Sequence, residues 1–196
     1  MKLIVALGNI GKEYANTRHN AAWIIADELI SNTDNVKTKQ EFKGETHTFI
    51  INNEKIIILK PHTFMNLSGQ SLVMCMQFYK LSLDDIIIIH DDKDFEFARL
   101  AIKLGGSHGG HNGLKNIIAE IGSEKFARLR IGIGTPENNY KIIDWVLSKM
   151  NTAEIQQLKN LSDTVLNIIK DWANNQNINN LMSKYNKNKR KEFQNE

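Results

Sequence analysis

The 196-residue chain holds a single cysteine, Cys75. That excludes an internal disulfide and a cysteine-rich zinc centre, and it suits a reducing compartment. No stretch approaches the roughly 20 apolar residues of a membrane-spanning helix, and the apolar start Met1 to Gly8 is too short for a signal peptide. A cytoplasmic location, free of membrane, is therefore expected. Excess charge is also small: a net +3 with a pI near 8.9 is compatible with a polyanionic partner but does not demand one. Several catalytic signatures are missing. Gly8-Asn9-Ile10-Gly11 lacks the third glycine of a dinucleotide-binding turn, and the glycine-rich segment 105–113 lacks the Lys-Ser/Thr ending of a phosphate loop. No Gly-x-Ser-x-Gly presents a nucleophilic serine. Cys75 sits among Val73, Met74 and Met76 in a packed-helix pattern, which argues against a thiol nucleophile and leaves water as the preferred one.

What is present is ordinary for a globular domain, with 41% apolar and 24% charged residues in a length that suits one core. Lys2 to Leu7 predicts a buried strand stopped by Gly8, and Ala22, Ile25, Ala26, Leu29 and Ile30 recur at helical spacing. Thr46 to Ile51 and Lys55 to Leu59 predict a hairpin turned at Asn52-Asn53-Glu54. Pro61 stops its second strand. Ser71 to Tyr79 predicts a helix, and the four isoleucines Ile86 to Ile89 a strand covered on both faces. Arg99 to Leu104 and Arg128 to Ile133 predict further strands, with a helix over Leu114 to Ile121 between them. Asn151 with Glu154 three residues on marks a helix start, and Ile155, Leu158, Leu161, Val165, Ile168, Ile169 and Trp172 form the stripe of one C-terminal helix. Alternating β and α elements predict a three-layer α/β domain around a mixed, mostly parallel twisted sheet flanked by helices.

Four loops concentrate His, Asn, Asp and Gly: 8–20, 60–69, 90–94 and 105–113. Each follows a predicted strand, so a shared sheet would let them converge on one edge. Their wording is distinctive: Gly8-Asn9-Ile10-Gly11 through Thr17-Arg18-His19-Asn20, Lys60-Pro61-His62-Thr63-Phe64-Met65-Asn66, His90-Asp91-Asp92-Lys93-Asp94, and Gly105-Gly106-Ser107-His108-Gly109-Gly110-His111-Asn112-Gly113. With Phe126-Ala127-Arg128-Leu129-Arg130-Ile131-Gly132 downstream, about the first 150 residues closely resemble the bacterial-type peptidyl-tRNA hydrolase family in order and spacing. Ile10, Ala22 and Phe95 to Ala98 depart from the family's usual residues, but none of them replaces a catalytic group.

The resemblance implies a single catalytic domain over residues 1–183 including the C-terminal helix, with a basic tail over 184–196. It implies a hydrolase, working as a monomer without a cofactor, metal or obligate protein partner, that cuts the ester between a peptidyl or N-blocked aminoacyl group and the tRNA 3′ end and so returns tRNA to translation. His19 is implied as the base that activates water, with Asp91 hydrogen-bonded to it; Asp92 and Asp94 are rival partners. A histidine titrating near 6.5 accepts a proton close to neutral pH, and a carboxylate fixes its tautomer. Asn9 is implied beside the scissile ester, Asn66 and Asn112 on the peptide backbone, and Tyr14 and Phe64 along the crevice. Helix capping is the plain alternative for Asn112, and core packing for Phe64. Lys103 and Arg130 match positions associated with tRNA phosphates, with Arg128 a close competitor. The basic tail either contacts phosphates or is simply solvated.

Two rival readings remain. His90, Asp91, His108 and His111 contain enough ligand types for zinc. A non-catalytic RNA-binding protein on the same fold is the other, although such a protein needs no base with an orienting acid.

Overall fold

In the four-isoleucine run, Ile86 and Ile88 belong to one apolar cluster, Ile87 and Ile89 to another, and all four are buried. A strand with period two can do this only when both faces of its sheet are covered. Each such side chain contributes about 1.5–3 kcal/mol of transfer free energy. The same split separates Leu3, Val5 and Leu7 from Ile4 and Ala6, so these two strands form the sheet's centre.

The computed structural model, which describes residues 1–136 and 140–186, contains seven strands: β1 (Lys2–Ala6), β2 (Lys37–Glu41), β3 (Gly44–Ile51), β4 (Glu54–Pro61), β5 (Ile86–Asp92), β6 (Leu100–Leu104) and β7 (Ala127–Gly132). They form one sheet in the order β2-β3-β4-β1-β5-β7-β6. The pairings β1·β4, β1·β5 and β5·β7 are parallel, and the flanking β2·β3, β3·β4 and β6·β7 are antiparallel. Helices α1 (Ala21–Ser31), α5 (Thr152–Lys159), α6 (Ser162–Ala173) and α7 (Ile178–Tyr185) cover one face, while α2 (Ser68–Tyr79) and α3 (Asn112–Ile121) cover the other. A short helix, α4 (Ile142–Val146), lies between β7 and α5. No described helix is long and apolar enough to cross a membrane.

The expected hairpin forms, and Asn52 and Asn53 take φ of 50° and 63°, as its two-residue turn requires. Strand β2 has no counterpart in the sequence reading because its residues, Lys-Thr-Lys-Gln-Glu, are almost all exposed. It is an edge strand, where lysines discourage pairing with other chains.

One expectation for the C-terminal region needs correction. The apolar stripe belongs to two helices, because the chain breaks at Asn160 and Leu161 between α5 and α6. Leu158, Val165, Ile168, Ile169 and Trp172 are nevertheless all buried, so the periodicity identified the buried face but not the break. Helix α7 runs through Lys184 and Tyr185, which both bond to the Asp171 carboxylate, and the Asn186 side chain clasps the backbone of Ile102 on the β6 edge. Of the expected tail, residues 187–196 lie outside the described residues.

Candidate active site

Strand β5 carries its apolar pattern into His90 and Asp91, which are both buried. Parallel neighbours β1 and β4 end at the same edge, delivering Asn9 after β1 and Phe64 to Asn66 after β4. The fourth loop arrives differently. Because β6 is antiparallel, Leu104 stands opposite Ala127 at the start of β7, whereas Asp91 stands opposite Ile131 near its end. Residues 105–111 must therefore travel back along the sheet to reach Asp91. Arg128 supports that path: its guanidinium donates to the carbonyl of Ser107 at 2.7 Å and to that of Gly106.

His19 lies in a 3-10 turn, Arg18–Asn20, and its Nδ1 is 2.8 Å from Asp91 Oδ1. His111, from the fourth loop, places Nε2 2.9 Å from the same oxygen. Its tautomer follows from its other nitrogen, because Nδ1 accepts from the backbone N–H groups of Gly113 and Leu114 at 3.1 and 3.3 Å. His111 therefore caps α3 and carries its proton on Nε2, donating to Asp91. The capping role considered for Asn112 falls to its neighbour instead, and Asn112 begins the helix with its side chain exposed on the cleft. Gly113 is packed so closely that a Cβ there would meet Met65 Sδ at 2.7 Å and His111 Cε1 at 3.1 Å.

Burial disfavours a charged His19 ring, but the Asp91 charge and hydrogen bond outweigh it and raise the pKa above the ordinary 6.5. Burial likewise opposes ionisation of Asp91, and its interactions with His19 and His111 overcome this, holding the carboxyl well below the usual carboxylate range. An ionised Asp91 accepting His19 Nδ1–H leaves Nε2 as the basic nitrogen. His90 differs from both. Burial, with the His111 ring beside it, pushes its pKa down to about 3, and its Nδ1 donates to the Asp91 carbonyl at 2.7 Å. It braces the Asp91 backbone.

Asn9 Oδ1 accepts the Met65 N–H at 2.8 Å, so the amide orientation is set and its NH2 remains as a donor. Asn20 fixes the loop beneath it, accepting from Asn9 N at 2.9 Å and donating to Asn9 O at 3.0 Å. These groups open onto a cleft of about 1080 Å³ whose walls include Tyr14, Phe64, Asn66, Asn112, Lys103 and Arg130. Phe64 is 58% exposed, which settles it as a cleft residue and removes it from the core. All nine expected site residues border this one cleft, together with Arg128. The competing cations are distinguishable: Arg128 is buried and committed to two carbonyls, Arg130 is paired with Asp92 at 2.7 Å, and Lys103 is exposed. Asp92, engaged by Arg130, is thus not the partner of His19, and Asp94 pairs with Lys93.

His111 and Asn20 are the residues the sequence reading undervalued. His111 entered only as a candidate metal ligand, and because histidine is not among the usual N-cap residues, only the structure shows that it caps α3. His19, Asp91 and His111 do bring three potential ligand atoms within 4.8 Å of one another. A neutral His111 binding a metal through Nε2 would need its proton on Nδ1, where two N–H groups already donate. The hydrogen-bonded cluster therefore fits proton transfer and disfavours a three-ligand metal site.

A family model described as peptidyl-tRNA hydrolase matches residues 3–193. The peptidyl-tRNA hydrolase of Mycoplasma capricolum is 47% identical over 186 residues, covering 95% of this chain and 100% of the relative. That of Bacillus cytotoxicus is 42% identical over 174 residues, covering 89% and 94%. A crystal structure of peptidyl-tRNA hydrolase from Acinetobacter baumannii superimposes with a TM-score of 0.86 at 36% identity, covering 95% of each chain. With family match, whole-length relatives and fold in agreement, the chain belongs to the peptidyl-tRNA hydrolase family.

Proposed function

We propose that the chain hydrolyses the ester joining a peptidyl or N-blocked aminoacyl group to the tRNA 3′ end, using water activated by His19. The observation that carries this reading is the buried 2.8 Å contact between His19 Nδ1 and Asp91, at a cleft bordered by three asparagines. His19 Nε2 takes a proton from water, and the hydroxide attacks the ester carbonyl carbon. Asp91 stabilises the imidazolium, and the Asn9 NH2 donates to the developing oxyanion. Collapse of the tetrahedral intermediate breaks the bond to the ribose oxygen, which takes the proton back from His19. Free peptide acid and tRNA leave.

Asn66 and Asn112 offer amide donors and acceptors that suit a peptide backbone whatever its side chains. Tyr14 and Phe64 give apolar walls for the acyl chain or terminal adenosine. A free aminoacyl-tRNA, with its charged α-amino group, would leave some of these polar groups unpaired. The enzyme works in the cytoplasm as a monomer and recycles tRNA for translation.

Purified protein should release tRNA from N-acetyl-aminoacyl-tRNA and spare the unblocked substrate. RNA binding without any turnover would instead favour the non-catalytic binding module. Among the cations, Lys103 is assigned to phosphate. Lys103→Ala should raise KM and lower the slope of log affinity against log salt by about 0.7–0.9; a KM increase that is equal at all salt concentrations would remove Lys103 from the phosphate contacts.

A further inference from the structure

Arg18 immediately precedes the catalytic base and is buried, with only 8% of its surface exposed. Burying a guanidinium is costly, and apolar replacements of buried ion pairs often stabilise a fold. Stability alone therefore gives a weak reason for an arginine here. What the side chain supplies is a rigid fork of donors with a flat cationic face, and both are used. Nε donates to Ser148 Oγ at 3.2 Å, and a terminal nitrogen donates to Glu154 Oε1 at 2.7 Å. The guanidinium carbon lies 4.1 Å from the Trp145 ring centroid and 5.6 Å from that of Phe97, within cation–π range.

Glu154, Ser148 and Trp145 are themselves held. Glu154 uses its other carboxylate oxygen to accept the Asn151 N–H in the capping box of α5. Ser148 Oγ donates to the Trp145 carbonyl at 2.6 Å, and Trp145 Nε1 to the Gly134 carbonyl at 2.8 Å. The backbones are tied as well: Arg18 N–H donates to Ser148 O, Met150 N–H donates to Asn16 O, and Thr17 bridges Lys149. Trp145 belongs to α4, whose Ile142 and Ile143 are 54% and 60% exposed and border the cleft. Asn20 on the other side of His19 is locked to Asn9.

We propose that Arg18 is a positioning residue that holds His19 in register with the α4 wall of the cleft, so that base and substrate wall share one rigid frame. The proposal rests on His19 being the base. An error of about 1 Å in such a frame can cost on the order of 100-fold in rate, although Arg18 touches neither substrate nor the reacting atoms.

The test compares Arg18→Met, which keeps the stem but not the charge, with Arg18→Lys, which can still reach Glu154 but lacks the fork. With N-acetyl-aminoacyl-tRNA, Arg18→Met should lower kcat by about 10- to 100-fold and leave KM within about twofold. Arg18→Lys should recover part of the loss. Histidine-labelled NMR of the ligand-free proteins should show the His19 Nδ1–H signal shifted or broadened in the methionine variant. Trp145→Phe should lower kcat less, and combining it with Arg18→Met should add little, because both act through one contact. Wild-type kcat with an unchanged His19 signal would overturn the proposal, as would a raised KM with kcat intact. If Arg18→Met fails to fold, the same criteria apply to Arg18→Lys. Absent turnover by the wild type would defeat the hydrolase reading, while the NMR comparison still decides whether Arg18 positions His19.

Discussion

His19→Ala should lower single-turnover hydrolysis by about 10²–10⁴-fold, the usual contribution of a positioned general base, while tRNA binding is retained. The separation is expected because the phosphate and peptide contacts proposed for Lys103, Asn66 and Asn112 do not pass through the imidazole. Asp91 would keep its 2.9 Å partner His111, so the buried carboxylate is not stranded and the variant should fold. A double readout is needed, with release of tRNA at saturating enzyme and binding of intact substrate in a filter assay. Near-wild-type release by the alanine variant would falsify the mechanism.

Asp91→Asn should lower the rate by a similar order, about 10²–10⁴, and it carries a pH signature that His19→Ala cannot. As the proposed base, His19 would work only when unprotonated, so wild-type kcat/KM should fall on the acid side, with a midpoint above 6.5 because Asp91 raises the His19 pKa. With the carboxylate gone, the interactions that raise it vanish while burial, which lowers it, remains. The acid limb should therefore move to lower pH as the plateau falls. A midpoint that stays put would show that Asp91 does not set the His19 protonation equilibrium. Stability should shift in the same variant. The Asp91 contribution is present above its unfolded pKa of about 3.9 and is lost as pH falls through its depressed folded value, so the wild type should lose stability in strong acid by a route that the asparagine variant lacks.

The parts of the fold legible in sequence were those whose burial is written as a local period. Ile86 to Ile89, Lys2 to Leu7 and the Asn52-Asn53 turn all form as expected. Strand β2 was not legible because an exposed edge strand carries no apolar alternation. The break between α5 and α6 was hidden because both helices contribute to one apolar cluster, and one stripe can be drawn through both. In the cleft, the identities of Asn9, His19, Asn66, Asp91 and Asn112 came from motif wording, and neither spacing nor periodicity could have supplied them.

Sequence by itself determined the central strands, helices α1, α2 and α3, the chemical types available in four loops and the family they resemble. Those depend on near neighbours along the chain: side-chain alternation, turn residues and short motifs. Tertiary structure decided which groups meet. It brought His111 to Asp91 by folding the 105–111 loop back from an antiparallel strand, gave Arg128 to that loop's carbonyls, and left Lys103 exposed on the cleft. The His111 tautomer, by contrast, is set locally, by backbone donors two and three residues further along the chain at its other nitrogen. The meeting of His19 and His111 at Asp91 joins residues about 70 and 20 apart in sequence, and no local pattern encodes distances across such separations.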